Sequence, residues 1–184
     1  MAIEKPTYTL IKKDGRFEIR RYEPYLTAQV TVKANDYRQA ANIGFSPLAN
    51  FIFGSNTSKQ KIPMTAPVSA QPQSEMIKMT APVSVSGNEE YIVSFVIPKK
   101  YTLDTLPIPN DRRVVFKENP QQTFAVKNYS GSFSQTNFER HLCKLKKWMQ
   151  EHALKVAGEP VFAGYNPPFT PAFLRHNEIL IPVE

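Results

Sequence analysis

Three histidines and one cysteine are the side chains best suited to metal binding or nucleophilic chemistry in this sequence. His141 and His152 are too far apart for a His-x-x-x-His metal pair, and no carboxylate motif joins them. His152 also falls in an apolar helical stripe, which favours a satisfied core or edge imidazole over a ligand. His176 follows Arg175 beside a proline-rich loop and is therefore the more accessible candidate metal ligand.

The other groups that could catalyse a reaction stand alone in the sequence. Cys143 projects away from the apolar stripe of its predicted helix, with no motif around it, and is interpreted as an incidental thiol. Glu18, Glu23 and Glu178 flank strands without an evident partner acid. There is no glycine-rich phosphate loop, no Gly-x-Ser-x-Gly elbow and no His-Glu-x-x-His motif. We therefore expect a binding protein and not an enzyme.

The charge balance narrows the partners that this protein would bind. Lys and Arg number 23 against 16 Asp and Glu, a net charge of +7, which favours anionic partners. The basic residues are scattered and form no zinc-finger or RNP motif, so we expect no nucleic-acid binding. The 12 Phe and 8 Tyr would suit a pocket for a flat, apolar, anionic molecule, although aromatic residues fill cores more often than pockets.

The length and the cysteine content limit the number of domains and disulfides that the chain can contain. We expect one domain covering residues 1–184. A single cysteine excludes an intramolecular disulfide framework. No apolar run reaches the length of a membrane span, and the first residues lack the apolar core of a signal peptide. The expectation is a cytoplasmic monomer that does not enter a membrane.

Alternating apolar residues predict several strands. Residues 7–13 and 16–21 form a predicted hairpin around Asp14 and Gly15, a type I′ signal, whose second arm continues past Pro24 to residue 32. Further strands are predicted at residues 90–98, 113–117, 123–129, 160–165 and 177–183. The element order suggests a β-β-α-β-β unit that occurs twice, as an antiparallel α+β fold with two packed helices.

Two stretches have helical periodicity. Asn35 or Asp36 is expected to cap the first helix, which ends at Gly54 and kinks or restarts at Pro47. Its apolar stripe contains Tyr37, Ala40, Ala41, Gly44, Phe45, Leu48, Phe51 and Ile52. The second helix ends at Gly158. Its stripe contains Phe138, Leu142, Leu145, Met149, His152 and Val156.

One short sequence motif occurs twice, as IPMTAPVS (residues 62–69) and as IKMTAPVS (residues 77–84). In each copy the apolar residues fall at every second position, so they share one face of an extended strand. Pro67 and Pro82 donate no ladder hydrogen bond and mark an edge, a bulge or a strand end. The two copies predict an edge hairpin. Met64 and Met79 either fill the core, which is the more common role of methionine, or line a ligand pocket.

Four motifs in this order resemble the SOUL/haem-binding protein family over nearly the whole chain. They are FEIRRYEP (17–24), FIFG (51–54), the doubled MTAPV, and AGYNPP (163–168) followed by RHNE (175–178). The resemblance implies a distorted antiparallel β-barrel of two pseudo-symmetric halves, each with one packed helix, related to the gyrase-inhibitor-like small-molecule-binding domains. It also implies binding of haem or another tetrapyrrole without a known reaction.

In this family the proposed pocket lies along the first helix and near the loop before the last strand. Carried over by position, it offers Asn42, Phe45, Leu48, Ala49, Ile52, Phe169, Phe173 and Arg175. Some members have a histidine, proposed as axial ligand, where this chain has Arg21, and an arginine cannot be deprotonated to bind iron. Asn42 and Asn50 stand where relatives carry basic residues. These departures from the family pattern argue against strong, histidine-ligated haem binding and leave open weak binding through apolar contacts, with Arg175 or lysines near the carboxylates.

Two other functions are compatible with this sequence. The first is a module that binds another apolar or cationic small molecule, as gyrase-inhibitor-like domains do. A buried carboxylate among aromatic residues would favour it, and a pocket walled by Lys and Arg would count against it. The second is an enzyme that modifies a tetrapyrrole, for which His176 with Glu178 is the candidate pair.

Overall fold

The computed structural model describes residues 5–58, 77, 81–87, 90–166 and 170–184. Two α-helices and a short 3-10 helix lie in these ranges: α1 (Tyr37–Ile52), α2 (Gln135–Glu151) and η1 (Ala172–Leu174). The strands are β1 (Tyr8–Asp14), β2 (Phe17–Tyr22), β3 (Tyr25–Lys33), β4 (Asn56–Thr57), β5 (Val83–Gly87), β6 (Glu90–Val96), β7 (Ile108–Pro109), β8 (Val115–Asn119), β9 (Gln122–Tyr129), β10 (Val161–Gly164) and β11 (Asn177–Val183). Neither α-helix has the length and apolar character that a membrane-crossing helix needs.

Nine strands form one antiparallel sheet in the order β1-β2-β9-β11-β10-β5-β6-β3-β8, and β4 pairs with β7. This order is symmetric about the contact between β10 and β5. Moving outward, one half runs β5, β6, β3 and the other runs β10, β11, β9, and each half contains a strand, a helix and two strands in chain order. The halves exchange their outer strands, since β2 pairs with β9 and β8 pairs with β3.

The predicted fold class is confirmed, with two pseudo-symmetric halves of a half-barrel sheet and one helix packed on each. Helix α1 packs on β3, β5 and β6, whereas α2 packs on β9 and β11. Alternate residues of each strand point to opposite faces of the sheet. On the helix side, Val30, Val93 and Ile179 belong to the main core. On the other side, Tyr22 and Leu180 belong to a smaller apolar cluster.

The first hairpin forms as predicted, but its turn differs. Asp14 pairs with Phe17, and of the two loop residues only Gly15 has a positive φ, of 58°. A type I′ turn needs a positive φ at both positions, so the pattern is that of a type II′ turn. The prediction that β2 continues past Pro24 is wrong. The chain leaves β9 there, because proline donates no ladder hydrogen bond, and β3 pairs in the other half of the sheet.

Helix α1 begins where the sequence predicts, because the Asp36 side chain accepts a hydrogen bond from the Gln39 backbone N–H at 2.7 Å. It runs without a restart through Pro47 to Ile52. Burial of Leu48 and Ile52 against the core stabilises the turn after the proline despite its missing donor.

Gly44 permits the close contact between α1 and the sheet. A Cβ atom at this position would lie 2.5 Å from Cγ2 of Val93 on β6. Such an approach is closer than van der Waals contact allows, so any larger residue would push the helix away from β6. The glycine in the predicted apolar stripe therefore has a packing role.

Helix α2 is shorter than predicted. Ser134 caps it, and it ends at Glu151 because Ala153 takes a positive φ of 52°. Val156, predicted to lie on the helix, instead forms a bridge with Val183. Trp148 was absent from the predicted stripe but is buried, and its ring stacks on Phe17 with the centroids 5.2 Å apart.

The repeated motif (residues 62–69 and 77–84) lies mostly outside the described residues, and so do Met64, Met79 and the predicted hairpin. Ile77 is buried, and its backbone N–H donates to the Ile52 carbonyl at the end of α1. Val83 begins β5, so the end of the second copy leads into the centre of the sheet.

Candidate functional site

A cavity of about 460 Å³ lies between α1, the central strands β5 and β10, and the segments that follow β9 and precede β11. Its volume is within the range of about 300–1,000 Å³ that is usual for ligand pockets. Because β5 and β10 meet at the pseudo-symmetry axis, both halves of the fold contribute walls. The lining residues are Arg38, Ala41, Asn42, Phe45, Val83, Val85, Ser132, Phe133, Phe162, Gly164, Asn166, Arg175 and Asn177.

Three phenylalanines form flat apolar surfaces in this cavity. Phe133 stacks on Phe162 with the ring centroids 4.3 Å apart and the planes 22° apart. Phe45 contacts Phe95 edge to face at 5.3 Å and keeps 37% of its surface exposed. A partly exposed phenylalanine at the mouth of an aromatic cavity supplies area that an apolar ligand can cover.

Hydrogen bonds hold the loop that carries Phe133. The Gly131 backbone N–H donates to the Ala172 carbonyl at 3.0 Å, and the Gly131 carbonyl accepts from the Asn177 side chain at 3.2 Å. The Ser132 carbonyl accepts from the Asn137 side chain at 3.0 Å. These bonds connect the loop to η1, β11 and α2, so the aromatic wall is fixed from three directions.

The charged groups of the cavity are both cationic. Arg38 lies on the exposed side of α1, and Arg175 follows η1, where its Nε donates to the Thr170 carbonyl at 2.8 Å. The other polar lining groups include three asparagine amides. No Asp or Glu lines the cavity among the described residues. The cavity is therefore suited to an apolar ligand that carries negative charge at its edge.

The lining offers no usual iron ligand. Within the described ranges it contains no histidine, cysteine, methionine or tyrosine, and no group of three metal-binding side chains is found anywhere in them. The three histidines are engaged elsewhere. His141 stacks on Tyr129, His152 bonds to the Trp148 carbonyl, and His176 bonds to Glu178.

Comparison with known proteins matches residues 3–182 to the SOUL heme-binding protein family. The chain belongs to this family. It is 30% identical to "Heme-binding protein 2" of Mus musculus, over 97% of this chain and 85% of that protein. It is 31% identical to "Heme-binding protein 2" of Homo sapiens, over 90% of this chain and 77% of that protein.

Solved structures with the same fold are more distant in sequence. The C-terminal domain of EcmrR superimposes with a TM-score of 0.65 at 11% identity, covering 96% of this chain and 98% of that one. A hydrolase from Listeria innocua gives a TM-score of 0.65 at 10% identity, covering 95% of this chain and 94% of that one. At such low identity the likeness to this SOUL-family chain concerns the fold alone.

Only some of the site residues implied by the family resemblance line the cavity. Asn42, Phe45 and Arg175 line the cavity. Phe173 is 76% exposed on η1, and Phe169 lies outside the described residues. The remaining three belong to the buried core beneath α1, with at most 8% of their surface exposed, namely Leu48, Ala49 and Ile52. Because they face β3 and β6, they support α1 and offer a ligand no open surface.

Some lining residues of this SOUL-family cavity were missed. Arg38 could have been found, since it lies one helical turn before Asn42 and therefore on the same face of α1. Phe162 was predicted only as part of a strand. Phe133 had no signal, because its position depends on long-range hydrogen bonds of the loop to η1 and β11.

A second polar cluster lies on the opposite face of the sheet. Arg20, 4% exposed, donates from Nη1 to Glu178 at 3.0 Å and from Nε to Glu18 at 2.6 Å. Glu178, 2% exposed, also accepts from the Tyr165 hydroxyl at 2.6 Å and contacts His176 Nε2 at 3.0 Å. Burial alone would raise the pKa of Glu178, but the hydrogen bond from His176 and the charge of Arg20 lower it overall.

This cluster contains the predicted pair of His176 and Glu178, but the pair does not line the cavity. Arg175 and Asn177 line the cavity on the helix side, whereas Glu178 points to the other face of β11. The buried carboxylate is also neutralised by Arg20. The geometry therefore places the candidate acid away from any ligand held by Phe133 and Phe162.

Proposed function

We propose that this chain binds haem or a related tetrapyrrole, without chemical conversion, in the cavity between α1 and the centre of the sheet. The observation that carries the proposal is an aromatic cavity edged by two arginines and free of acids among the described residues. Membership of the SOUL heme-binding protein family supports the ligand class.

The residues of the cavity fit the ring and the carboxylates of a tetrapyrrole. Phe133 and Phe162 offer a stacked aromatic wall, and Phe45 offers a second surface across the opening. Arg38 and Arg175 would pair with the two propionates, since a planar guanidinium matches a carboxylate with two parallel hydrogen bonds. The asparagine amides would accept or donate at the polar rim.

The same cavity does not fit the iron, because no lining residue in the described ranges offers an imidazole, thiolate, thioether or phenolate ligand. We therefore expect binding that depends on the macrocycle and its carboxylates and not on the metal. Without an axial bond the affinity rests on apolar burial and charge, so weak binding follows. Binding that does not depend on the metal distinguishes this protein experimentally from a haem protein whose iron has an axial ligand.

The cavity also suits one alternative class of ligand. An apolar small molecule of another kind would satisfy the aromatic walls equally well, because nothing in them recognises four pyrroles. A cationic ligand is disfavoured, since Arg38 and Arg175 would repel it and no acid lines the described part of the cavity. The alternative is therefore a neutral or anionic ligand.

A comparison of three ligands tests the proposal. Hemin and metal-free protoporphyrin IX should both bind saturably, with dissociation constants within about fivefold of each other. The dimethyl ester of protoporphyrin should bind at least about fivefold more weakly, because it cannot pair with the arginines. Absorbance and porphyrin fluorescence report binding. Saturable binding of hemin alone would contradict the iron-independent site, and no saturable binding would favour the alternative ligand.

The arginines give the matched test within the chain. Arg38→Gln and Arg175→Gln should each weaken protoporphyrin binding about fivefold, since each removes one exposed ion pair. Arg112→Gln is the control, because Arg112 is exposed and lies outside the cavity lining. Equal affinity in all three variants would mean that the carboxylates are not bound by these arginines.

A further inference from the structure

Lys127 is a buried lysine without a carboxylate partner in the described part of the chain. It lies on β9 with 5% of its surface exposed, and it pairs in register with Phe17 of β2. Its Nζ sits 3.9 Å from the centroid of the Phe17 ring. No hydrogen bond or ion pair of Lys127 is found among the described residues. An ammonium on a largely buried side chain is costly unless it is paired, so a counter-charge would stabilise this position.

His141 lies next to Lys127, and one of its ring nitrogens has no hydrogen-bond partner among the described residues. Its ring stacks on Tyr129, two residues along the same face of β9, with the centroids 4.2 Å apart. Its Nδ1 is buried and forms no hydrogen bond in the described residues. The buried Nδ1 of His141 and the ammonium of the largely buried Lys127 therefore both lack a hydrogen-bond partner among the described residues where α2 covers β9.

The charged groups that act on this pair are basic. Arg16 and Lys144, from the first turn and from α2, act on Lys127, and with burial as the larger cause they lower its pKa. The pKa of His141 falls to about 4, first through burial and then through Lys127, Arg140, Lys144 and Arg16. The Arg16 backbone is fixed beside β9, since its carbonyl accepts from the Asn128 N–H at 2.9 Å.

We propose that four residues, the basic cluster, form a binding site for a small phosphate-type oxyanion. The basic cluster consists of Lys127 on β9 with Arg140, His141 and Lys144 on α2. One guanidinium group and two ammonium groups from two elements suit a dianion with several acceptor oxygens. The buried position of Lys127 selects a small anion, because an extended nucleic-acid backbone would contact only the exposed members of the cluster.

The basic cluster is separate from the cavity proposed for the tetrapyrrole. None of its members lines that cavity, and it lies against β9 and α2, whereas the cavity lies against β5, β10 and α1. Occupation of one site therefore need not exclude the other. Phosphate binding at the basic cluster is therefore expected whether or not a tetrapyrrole binds in the cavity.

Inorganic phosphate is the probe that tests the proposed oxyanion site. At equal ionic strength set with chloride, phosphate should raise the thermal midpoint of the wild type by at least about 2 °C at saturation. In Lys127→Met the midpoint without phosphate should rise, because an unpaired charge is removed, and the phosphate response should fall at least about tenfold in apparent affinity. Lys146→Met, on the outer face of α2, should respond as the wild type does.

A second readout needs no variant. In the wild type, the NMR titration midpoint of His141 should rise by at least about one pH unit when phosphate binds, because the anion offsets the surrounding cations. The inference is overturned if phosphate leaves both the thermal midpoint and the His141 titration as chloride does. It is also overturned if Lys127→Met folds and keeps the full phosphate response.

Discussion

Arg20 and Glu178 form a buried ion pair, with Nη1 of the guanidinium 3.0 Å from the carboxylate, that joins the first hairpin to the last strand. Arg20 is 4% exposed and Glu178 is 2% exposed, so solvent screens the pair little. The same guanidinium also contacts Glu18 at 2.6 Å. One arginine therefore bridges two buried acids from opposite ends of the chain, and Lys13 lies 3.4 Å from Glu18 as a second cation.

Removing Arg20 should destabilise the fold strongly. Arg20→Met leaves Glu18 and Glu178 buried without their shared cation, and the unfolding free energy should fall by about 3–5 kcal/mol. Lys33→Met is the control, because the Lys33–Glu90 pair, at 3.8 Å, is exposed on both sides and should cost under about 1 kcal/mol. Urea denaturation measures both. A loss for Arg20→Met no larger than that of the control would show that the buried pair contributes little.

His141 should make stability depend on pH. Its pKa in the folded protein is about 4, below the ordinary 6.5, so the unfolded chain binds more protons between these values. The unfolding free energy should therefore decrease by about 1–3 kcal/mol as the pH falls from 6.5 to 4 in phosphate-free buffer. His141→Phe keeps the stacking on Tyr129 and should remove this loss. Glu178, whose pKa is lowered, loses its contribution only at lower pH.

Substitution of Gly44 should be destabilising in a helix where alanine is normally preferred. Gly44→Ala would gain up to about 1 kcal/mol from helix propensity, but its Cβ would lie 2.5 Å from Val93. The resulting overpacking should give a net loss of about 1–3 kcal/mol. Ser46→Ala, at an exposed position of the same helix, should change stability by under about 0.5 kcal/mol. A Gly44→Ala variant as stable as the wild type would contradict the tight contact.

Local patterns in the sequence predicted much of the fold. The cap at Asp36, the apolar stripe of α1 and the strands β6, β9 and β11 follow from short-range periodicity and are confirmed. The end of α2 was wrong, because Val156 continues the helical spacing but pairs with Val183 instead. A tertiary contact decided that position. Local periodicity contains no information about such contacts.

The candidate site was less accessible to sequence reasoning. The family resemblance pointed to one face of α1 and to Arg175. It could not predict which residues of α1 are buried in the core and which line the cavity. Whether Leu48 or Asn42 faces a ligand depends on where β6 packs, which is a long-range property. The pairing of Arg20 with Glu178 was equally hidden. The single-domain organisation, the monomeric state and the cytoplasmic location stay predictions.

The most direct test of the proposed function is to fill the cavity and measure tetrapyrrole affinity. Ala41 lines the cavity from α1, so Ala41→Trp would place an indole where the macrocycle is proposed to lie. The control is Lys146→Trp on the exposed outer face of α2, which adds the same side chain away from the cavity. Circular dichroism and the thermal midpoint check that both variants fold.

The measurement is the dissociation constant for protoporphyrin IX in the wild type and both variants. We predict at least about a tenfold loss of affinity in Ala41→Trp, from a lost binding free energy of about 1.4 kcal/mol or more, and no change in Lys146→Trp. A folded Ala41→Trp variant that binds with wild-type affinity would contradict the proposed site.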